Sequence, residues 1–449
     1  MAREKAELPK LYKSLIDITK LAISKYLFVG TVDTKVLKFH DKGYSIRRQP
    51  VPMYGIEVGI QREPKYNKCI KHFSEMPKVK EIWDFVKPNK EPTEWDISSH
   101  IRNKYLDSFI VEVAKKTHGQ FDLDTFDDVY SELEKFLMDD RSESKMLEIS
   151  PLPHFQSELE KMELSTGLKI RKITREEKEG IFLDYSLSSV NGYSDMFVFL
   201  GCDFVIEYTW GRERPEVNAR HVALALSLFK PKSRIDYHGS ISYRISWWRA
   251  FAGLLGPEPM AHSKPLKLTK QDANKFLRFW ENEFMPIVMK EGHFMKITLS
   301  RFEDFRRRRN WLMGLIDLAI CLEAMYLREN QELSYRLSHR CATLLGYEKS
   351  AEEKEQIRKF IKIAYDIRSR LIHGEQIEWE KIKRKNEIEL EAYPFVEQVF
   401  EYVRQSIRRF LALTSKCELV GTKHKNFLRI VDSSIYSERP LKKYLTGSA

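Results

Sequence analysis

The chain has 449 residues, 42% of them hydrophobic and 12% aromatic, and a formal net charge of +11. That length suffices for two or three domains with cores of their own, and the composition excludes collagen-like, coiled-coil and wholly disordered classes. The positive charge admits a polyanionic partner without requiring one, because many basic globular proteins bind nothing anionic.

At the N-terminus, Met1-Ala-Arg-Glu-Lys-Ala-Glu carries no apolar signal core, so no secretory leader is expected. In the first half, Tyr26 to Val32 and Val36 to Phe39 read as strands, and Tyr105 to Lys116 and Leu123 to Met138 have helical spacing. Met196 to Leu200 and Phe204 to Tyr208, on either side of Gly201-Cys-Asp203, read as a β-hairpin. Val222 to Phe229 suits a strand or a short buried helix, and Ser240 to Trp248 reads as a further strand. The breaker-rich segment Gly253 to Pro265 predicts a domain boundary.

Beyond it the pattern is helical. Thr269 caps a helix from Lys270 to about Lys290 that Pro286 should bend. One long helical stretch is expected from about Leu299 to Arg328, then a helix from Leu333 to Leu345 with Gly346 as its C′ residue. Ser350-Ala-Glu-Glu353 has the form of a capping box. Behind it Ile357, Phe360, Ile361, Ala364, Ile367 and Leu371 make one apolar face, ending at His373 and Gly374. Phe395, Val399, Val403, Ile407 and Phe410 mark a last amphipathic helix from Pro394 to Leu413. The expected class is α+β: an N-terminal mixed α/β domain followed by a C-terminal all-α bundle. Residues 1–150 form an α+β region of unassigned role, 151–255 its strand-rich continuation, and 266–435 the bundle.

The longest apolar stretch, Trp311 to Leu327, is short for a bilayer and contains Asp317 and Glu323, so no membrane partner is expected and a cytoplasmic protein follows. Cys69, Cys202, Cys321, Cys341 and Cys417 are odd in number and include no C-x-x-C pair, which argues against a disulfide framework and a structural zinc. With no GxxxxGK[ST] or GxGxxG string either, no metal and no cofactor is expected. Asp195 and Glu207 resemble the paired carboxylates of nuclease sheets. Thr209 stands where such sheets place a lysine, so a structural role is the better reading.

Arg368-Ser-Arg-Leu-Ile-His373-Gly374 carries the chemistry. A neutral imidazole can take the proton of a ribose 2′-OH, and a fixed guanidinium can hold a phosphate as charge builds on it. On a regular helix, positions five apart lie about 140° around the axis, so one motif is half a site. Relaxation of the helix end at Gly374 narrows that gap, and a two-fold mate supplies the missing groups. Glu323 and Asp317 each lie in an apolar helix and need a cationic or polar partner. Arg306, Arg307, Arg336, Arg340 and Arg370 are the candidates to track an RNA backbone.

Three blocks, Leu315 to Leu327, Glu332 to Gly346 and Tyr365 to Gly374, together resemble the ApeA-like branch of the HEPN superfamily over roughly Ser300 to Ser415. Looser similarity reaches Gly167 to Thr174 and Leu224 to Lys230. The resemblance implies a HEPN helical bundle that pairs face to face as a homodimer, and metal-independent endoribonuclease activity on tRNA or other RNA in a defence or toxin context. It implies catalytic roles for Arg368 and His373, with Glu323 as the acid orienting the arginine. Many active members place Asn, Asp or His after the arginine; here the position is Ser369, which is usual in the ApeA-like branch. The alternative is a non-catalytic bundle that dimerises and binds RNA or a nucleotide.

Overall fold

The computed structural model describes residues 6–40, 43–76, 101–138, 145–188, 197–210, 216–231, 239–245, 251–255, 265–290, 292–308, 310–329 and 331–446, with single positions between them. Among these the strands are β1 (Leu27–His40), β2 (Gly43–Ile56), β3 (Lys145–Leu152), β4 (Phe155–Ser157), β5 (Lys161–Ser165), β6 (Leu168–Lys172), β7 (Phe204–Trp210), β8 (Gly239–Ile245), β9 (Phe251–Leu255) and β10 (Leu266–Leu268). Helices of eight residues or more begin with α1 (Pro9–Leu21), α2 (Pro64–Ser74), α3 (Asp107–Lys116), α4 (Leu123–Met138), α5 (Arg175–Ser188) and α6 (Ala219–Phe229). They continue with α7 (Lys270–Phe279), α8 (Phe294–Arg307), α9 (Trp311–Tyr326), α10 (Leu333–Leu345) and α11 (Ala351–Ile372). The last are α12 (Trp379–Asn386), α13 (Ala392–Cys417), α14 (Thr422–Ser433) and α15 (Arg439–Thr446). The class is α+β, with the sheets in the N-terminal region and helices only from Lys270 onward.

Two compact units result, each assembled from separated segments. Residues 1–151, 167–215 and 238–258 form the first; 152–166, 216–237 and 259–449 form the second.

In the first unit, α1 to α4 bury Leu11, Leu15, Ile18, Tyr66, Phe73, Phe109, Phe126 and Tyr130 in one core. Apolar residues at three- and four-residue steps give each helix a single inward face. β1 and β2 form an antiparallel ribbon with Leu27 opposite Ile56, so the two strands expected within residues 26–39 are one. A second core gathers Leu37, Ile149, Phe182, Phe199, Val205 and Ile241 around strands ordered β6-β7-β3-β8-β9.

The expected hairpin at residues 196–208 is corrected. Phe197–Leu200 is one helical turn, and β7 pairs antiparallel with β6, Leu168 opposite Tyr208. With β6 on one side of β7 and β3 on the other, no edge remains for a strand at 197–200. The turn still buries Phe199, because a short apolar run fills a core in either conformation. Glu207 is committed to Arg171 and to Lys169 at 2.5 Å, a structural ion cluster; Asp195 lies outside the described residues.

In the second unit, β4 and β10 pair in parallel, Phe155 opposite Leu266. The unit differs from the contiguous domain expected for 151–255, because residues 152–166 and 216–237 belong with the helices. Polar contacts give the reason: Trp280 Nε1 donates to Leu164 O at 3.1 Å, and Arg404 Nη1 donates to Leu228 O at 2.7 Å. Val222 to Phe229 is helical, as α6, and apolar on every side because Val222 through Leu228 are all buried. The bend expected at Pro286 falls one turn earlier, as a π-helical turn at Trp280–Phe284. Proline lacks the N–H that would bond back to residue 282, and the widened turn absorbs the loss.

The single helix expected over residues 299–328 is two. Asn310 caps α9 by accepting from the Leu312 amide at 3.0 Å and the Met313 amide at 3.4 Å, and Arg308 is extended (φ −77°, ψ 128°). Gly314 lets α8 approach, since a Cβ there would stand 2.7 Å from the Phe305 ring. Gly314→Ala is therefore expected to cost roughly 1–3 kcal/mol, read as a lower urea midpoint, and Phe305→Leu in the same chain should restore part of it.

The remaining core is the one the periodicity predicts. α11 opens with the Ser350–Glu353 capping box and buries Ile357, Phe360, Ile361, Ala364 and Ile367, while Leu371, expected on the same face, is only half-buried; α13 buries Phe395, Val399, Val403, Ile407 and Phe410. Gly346 is the residue capping α10, at φ −87° rather than left-handed. Its lack of a side chain serves close approach, for a Cβ would meet Ala342 O at 2.5 Å.

Candidate functional site

α9 and α11 pack side by side in the bundle, and their facing surfaces place Glu323 against Arg368. Arg368 Nη2 lies 3.2 Å from each oxygen of Glu323, with both side chains about three-quarters buried. Tyr365, one turn earlier on α11, completes the cluster. Its ring centre is 5.7 Å from the guanidinium carbon, and its hydroxyl hydrogen-bonds Glu323. Burial raises the Glu323 carboxyl above its usual range, opposed by the Arg368 charge and the Tyr365 bond. Burial and the Glu323 charge raise the Tyr365 phenol in turn. Arg368 Nε is buried without a hydrogen-bond partner among the described residues, and Nη1 makes no hydrogen bond among them either, so Nη1 keeps donors to offer. Tyr365 was not singled out by the sequence reading. Its place three residues before Arg368, on the same helical face, is the signal that could have found it.

His373 caps the C-terminus of α11 and is exposed. Its imidazole has no hydrogen bond or ion pair among the described residues. The turn after it is a Schellman motif: Gly374 N donates to Leu371 O at 3.1 Å and Glu375 N to Arg370 O at 2.9 Å. Gly374 sits at φ +78°, a conformation that costs a side-chain-bearing residue about 1–2 kcal/mol. Gly374→Ala should lower stability by about that amount in a urea titration, and Gly374→Asn by less. His373 N still donates to Ser369 O at 3.2 Å, inside the helical ladder. The left-handed residue therefore comes after His373 and does not carry it toward Arg368, as had been expected. One chain presents Tyr365 and Arg368 on the face of α11 that meets Glu323 of α9, and His373 on another. Ser369, half-buried, contributes that carbonyl.

The arginines expected on an RNA path divide. Arg340 is 1% exposed and fully committed: Nε and Nη2 to Asp432 at 2.8 Å each, Nη1 and Nη2 to Glu329 at 2.9 and 3.2 Å, and Nη1 to Tyr326 O at 2.6 Å. Arg306 is buried and donates to Ile235 O. Neither is available to a phosphate, which corrects both assignments. Arg336 pairs with Glu332 at 3.0 Å and shares Asp432 with Arg340. Arg370 pairs with Glu375 at 2.8 Å across the α11 terminus. The side chain of Arg307 lies outside the described residues. Asp317, 2% exposed, binds Arg308 Nε at 2.6 Å and Arg301 Nη1 at 3.4 Å, a structural tie between α8 and α9.

His424 anchors α14 beneath the end of α9, its Nε2 2.8 Å from Met325 O. Burial, and then the Arg328 charge, lowers its pKa to about 4. Because the folded value lies below the ordinary 6.5, the unfolded chain binds the extra proton between the two. This contribution to stability, about 3 kcal/mol, is complete above pH 6.5 and is lost as pH falls toward 4. Urea midpoints measured across that window should fall in the native protein and fall less in His424→Phe.

Among the described residues no group of three or more His, Cys, Asp or Glu is placed to hold a metal ion, and no helix is long and apolar enough to cross a membrane. Comparison with protein-family models, curated proteins and solved structures finds no match to this chain.

Proposed function

We propose that the C-terminal bundle cuts RNA without a metal, by the chemistry of Arg368 and His373, and that two copies of the chain complete the site. The observation that carries this reading is the pairing of a held arginine with a free imidazole at one end of α11. Glu323 and Tyr365 fix the guanidinium through Nη2, and His373 stands exposed with no hydrogen bond or ion pair among the described residues. Arg368 binds the phosphoryl oxygens. An imidazole removes the 2′-OH proton, the 2′-oxygen bonds to phosphorus, and the bond to the 5′-oxygen breaks. That oxygen takes a proton from an imidazolium, so the products carry a 2′,3′-cyclic phosphate and a 5′-OH.

The division of Arg368 and His373 between two faces of α11 supports the two-copy requirement, since a second bundle would bring the complementary face. The resemblance to HEPN proteins agrees with a homodimer, and with tRNA or another RNA as substrate in a defence or toxin setting in the cytoplasm. The test is an assay of purified protein on tRNA in EDTA. Cuts ending in a cyclic phosphate that vanish in Arg368→Ala support the enzyme. Binding without cutting identifies the non-catalytic module instead.

A further inference from the structure

Arg328 follows the last turn of α9 and is exposed. Its Nη2 donates to His424 Nδ1 at 2.8 Å, and its guanidinium carbon lies 5.2 Å from the centre of the Phe294 ring. His424 donates to Met325 O through Nε2, which leaves Nδ1 as the acceptor Arg328 uses. The guanidinium is thus held by a neutral imidazole and a ring, not by a carboxylate. Glu329, the acid beside it in sequence, is committed to Arg340 through both oxygens. Arg328 makes no salt bridge among the described residues, and desolvation lowers its pKa.

His293, the N-cap of α8, is 2% exposed and accepts from Met295 N at 3.2 Å through Nδ1. The proton is then on Nε2, which is buried and has no hydrogen-bond partner among the described residues. Burial lowers this imidazole's pKa, and the charges of Lys290 and Arg328 push the same way, so all three groups belong to one field. Arg328, Lys290 and the Nε2–H of His293 bring donors and positive charge here, and α8 adds the partial positive charge of a 14-residue helix N-terminus. Glu329 accepts from Arg328 N at 3.2 Å and its charge acts on Arg328, but both its oxygens are taken by Arg340, which leaves the Arg328 guanidinium without an anion of its own among the described residues.

We propose that Arg328 and His293, at the N-terminus of α8 and in the field of Lys290, form a phosphate-binding site built from none of the residues assigned to RNA cleavage. A guanidinium already oriented by His424 and Phe294 presents its free edge to two phosphate oxygens at little further entropic cost. The phosphate supplies the acceptor that His293 lacks. The same chemistry fits a backbone phosphodiester and the phosphate of a small ligand.

The experiment titrates the 449-residue chain with inorganic phosphate by calorimetry, beside Arg328→Gln, Arg328→Lys, Lys290→Gln and, as a surface control on α12, Lys381→Gln. Arg328→Gln should weaken phosphate binding by about tenfold or more, Arg328→Lys and Lys290→Gln by less, and Lys381→Gln not at all. A second arm measures binding of a single-stranded oligoribonucleotide at several salt concentrations. A salt slope reduced by about one in Arg328→Gln assigns the site to backbone phosphate, and an unchanged slope with impaired phosphate binding assigns it to a small phosphorylated ligand. Native protein that ignores phosphate at millimolar concentration, or Arg328→Gln and Arg328→Lys that both bind it as the native protein does, overturns the proposal. Because the readout is binding, this outcome is independent of whether the protein cleaves RNA.

Discussion

His373→Ala is expected to lower RNA cleavage by roughly 10²–10⁴-fold, the loss typical of a proton-transfer residue. The reason is local. His373 is exposed at the α11 terminus with no partner among the described residues to orient or occupy its imidazole, so the substitution removes chemistry and little structure. Arg368→Ala should lose cleavage and some affinity together, because the arginine touches phosphate before and during the reaction. Arg368→Lys should recover little, since a point charge does not replace the planar fork. Mixing chains that carry Arg368→Ala with chains that carry His373→Ala checks the two-copy requirement. Partial return of activity is expected if one copy supplies the arginine and the other the histidine. Cleavage of tRNA by His373→Ala at the native rate would end the assignment.

The largest loss of stability should come from Arg340→Ala, about 3–5 kcal/mol. Its guanidinium ties together the end of α9, through Tyr326 O and Glu329, and α14, through Asp432, while α10 carries the side chain. Removing it creates a cavity and strips both acids of their common cation. The Arg340 bonds hold the Glu329 carboxyl down at about 2, well below its usual range. That share of stability is present above the ordinary glutamate value and fades as pH falls through about 2. Urea midpoints of the native chain and Arg340→Ala should therefore differ most at neutral pH and converge in strong acid. Arg340→Lys should remain close to the alanine variant, because one ammonium cannot serve two carboxylates and a carbonyl. A midpoint unchanged at pH 7 in Arg340→Ala would show that the network contributes nothing net.

Much of the C-terminal bundle was legible because its signals are local. The apolar stripe of Ile357 to Ile367 and the Ser350 cap lie within one element, where a 3.6-residue period and a four-residue capping pattern are read directly. Glu323 was marked as an acid needing a cation for the same reason. Asn310 as a helix start is hidden because the run Arg306 to Arg309 before it consists of good helix formers, which a single helix can span. Residues 197–200 failed for another cause, since a four-residue apolar run has no period to measure and only the occupied flanks of β7 exclude a strand.

The sequence by itself determined the α+β class, the positions of α11 and α13 and the approach of an arginine and a histidine to one helix end, because these follow from spacing along a single segment. The tertiary structure alone decided which cations are spoken for. Arg336 and Arg340 look equivalent at a four-residue spacing, yet one is a third exposed and the other sealed around Asp432 and Glu329. Arg328, with nothing in its local sequence to distinguish it, is left without a carboxylate. Charge pairing joins residues tens of positions apart, and whether a cation meets an acid, a ring or solvent depends on which helices the folded chain brings side by side.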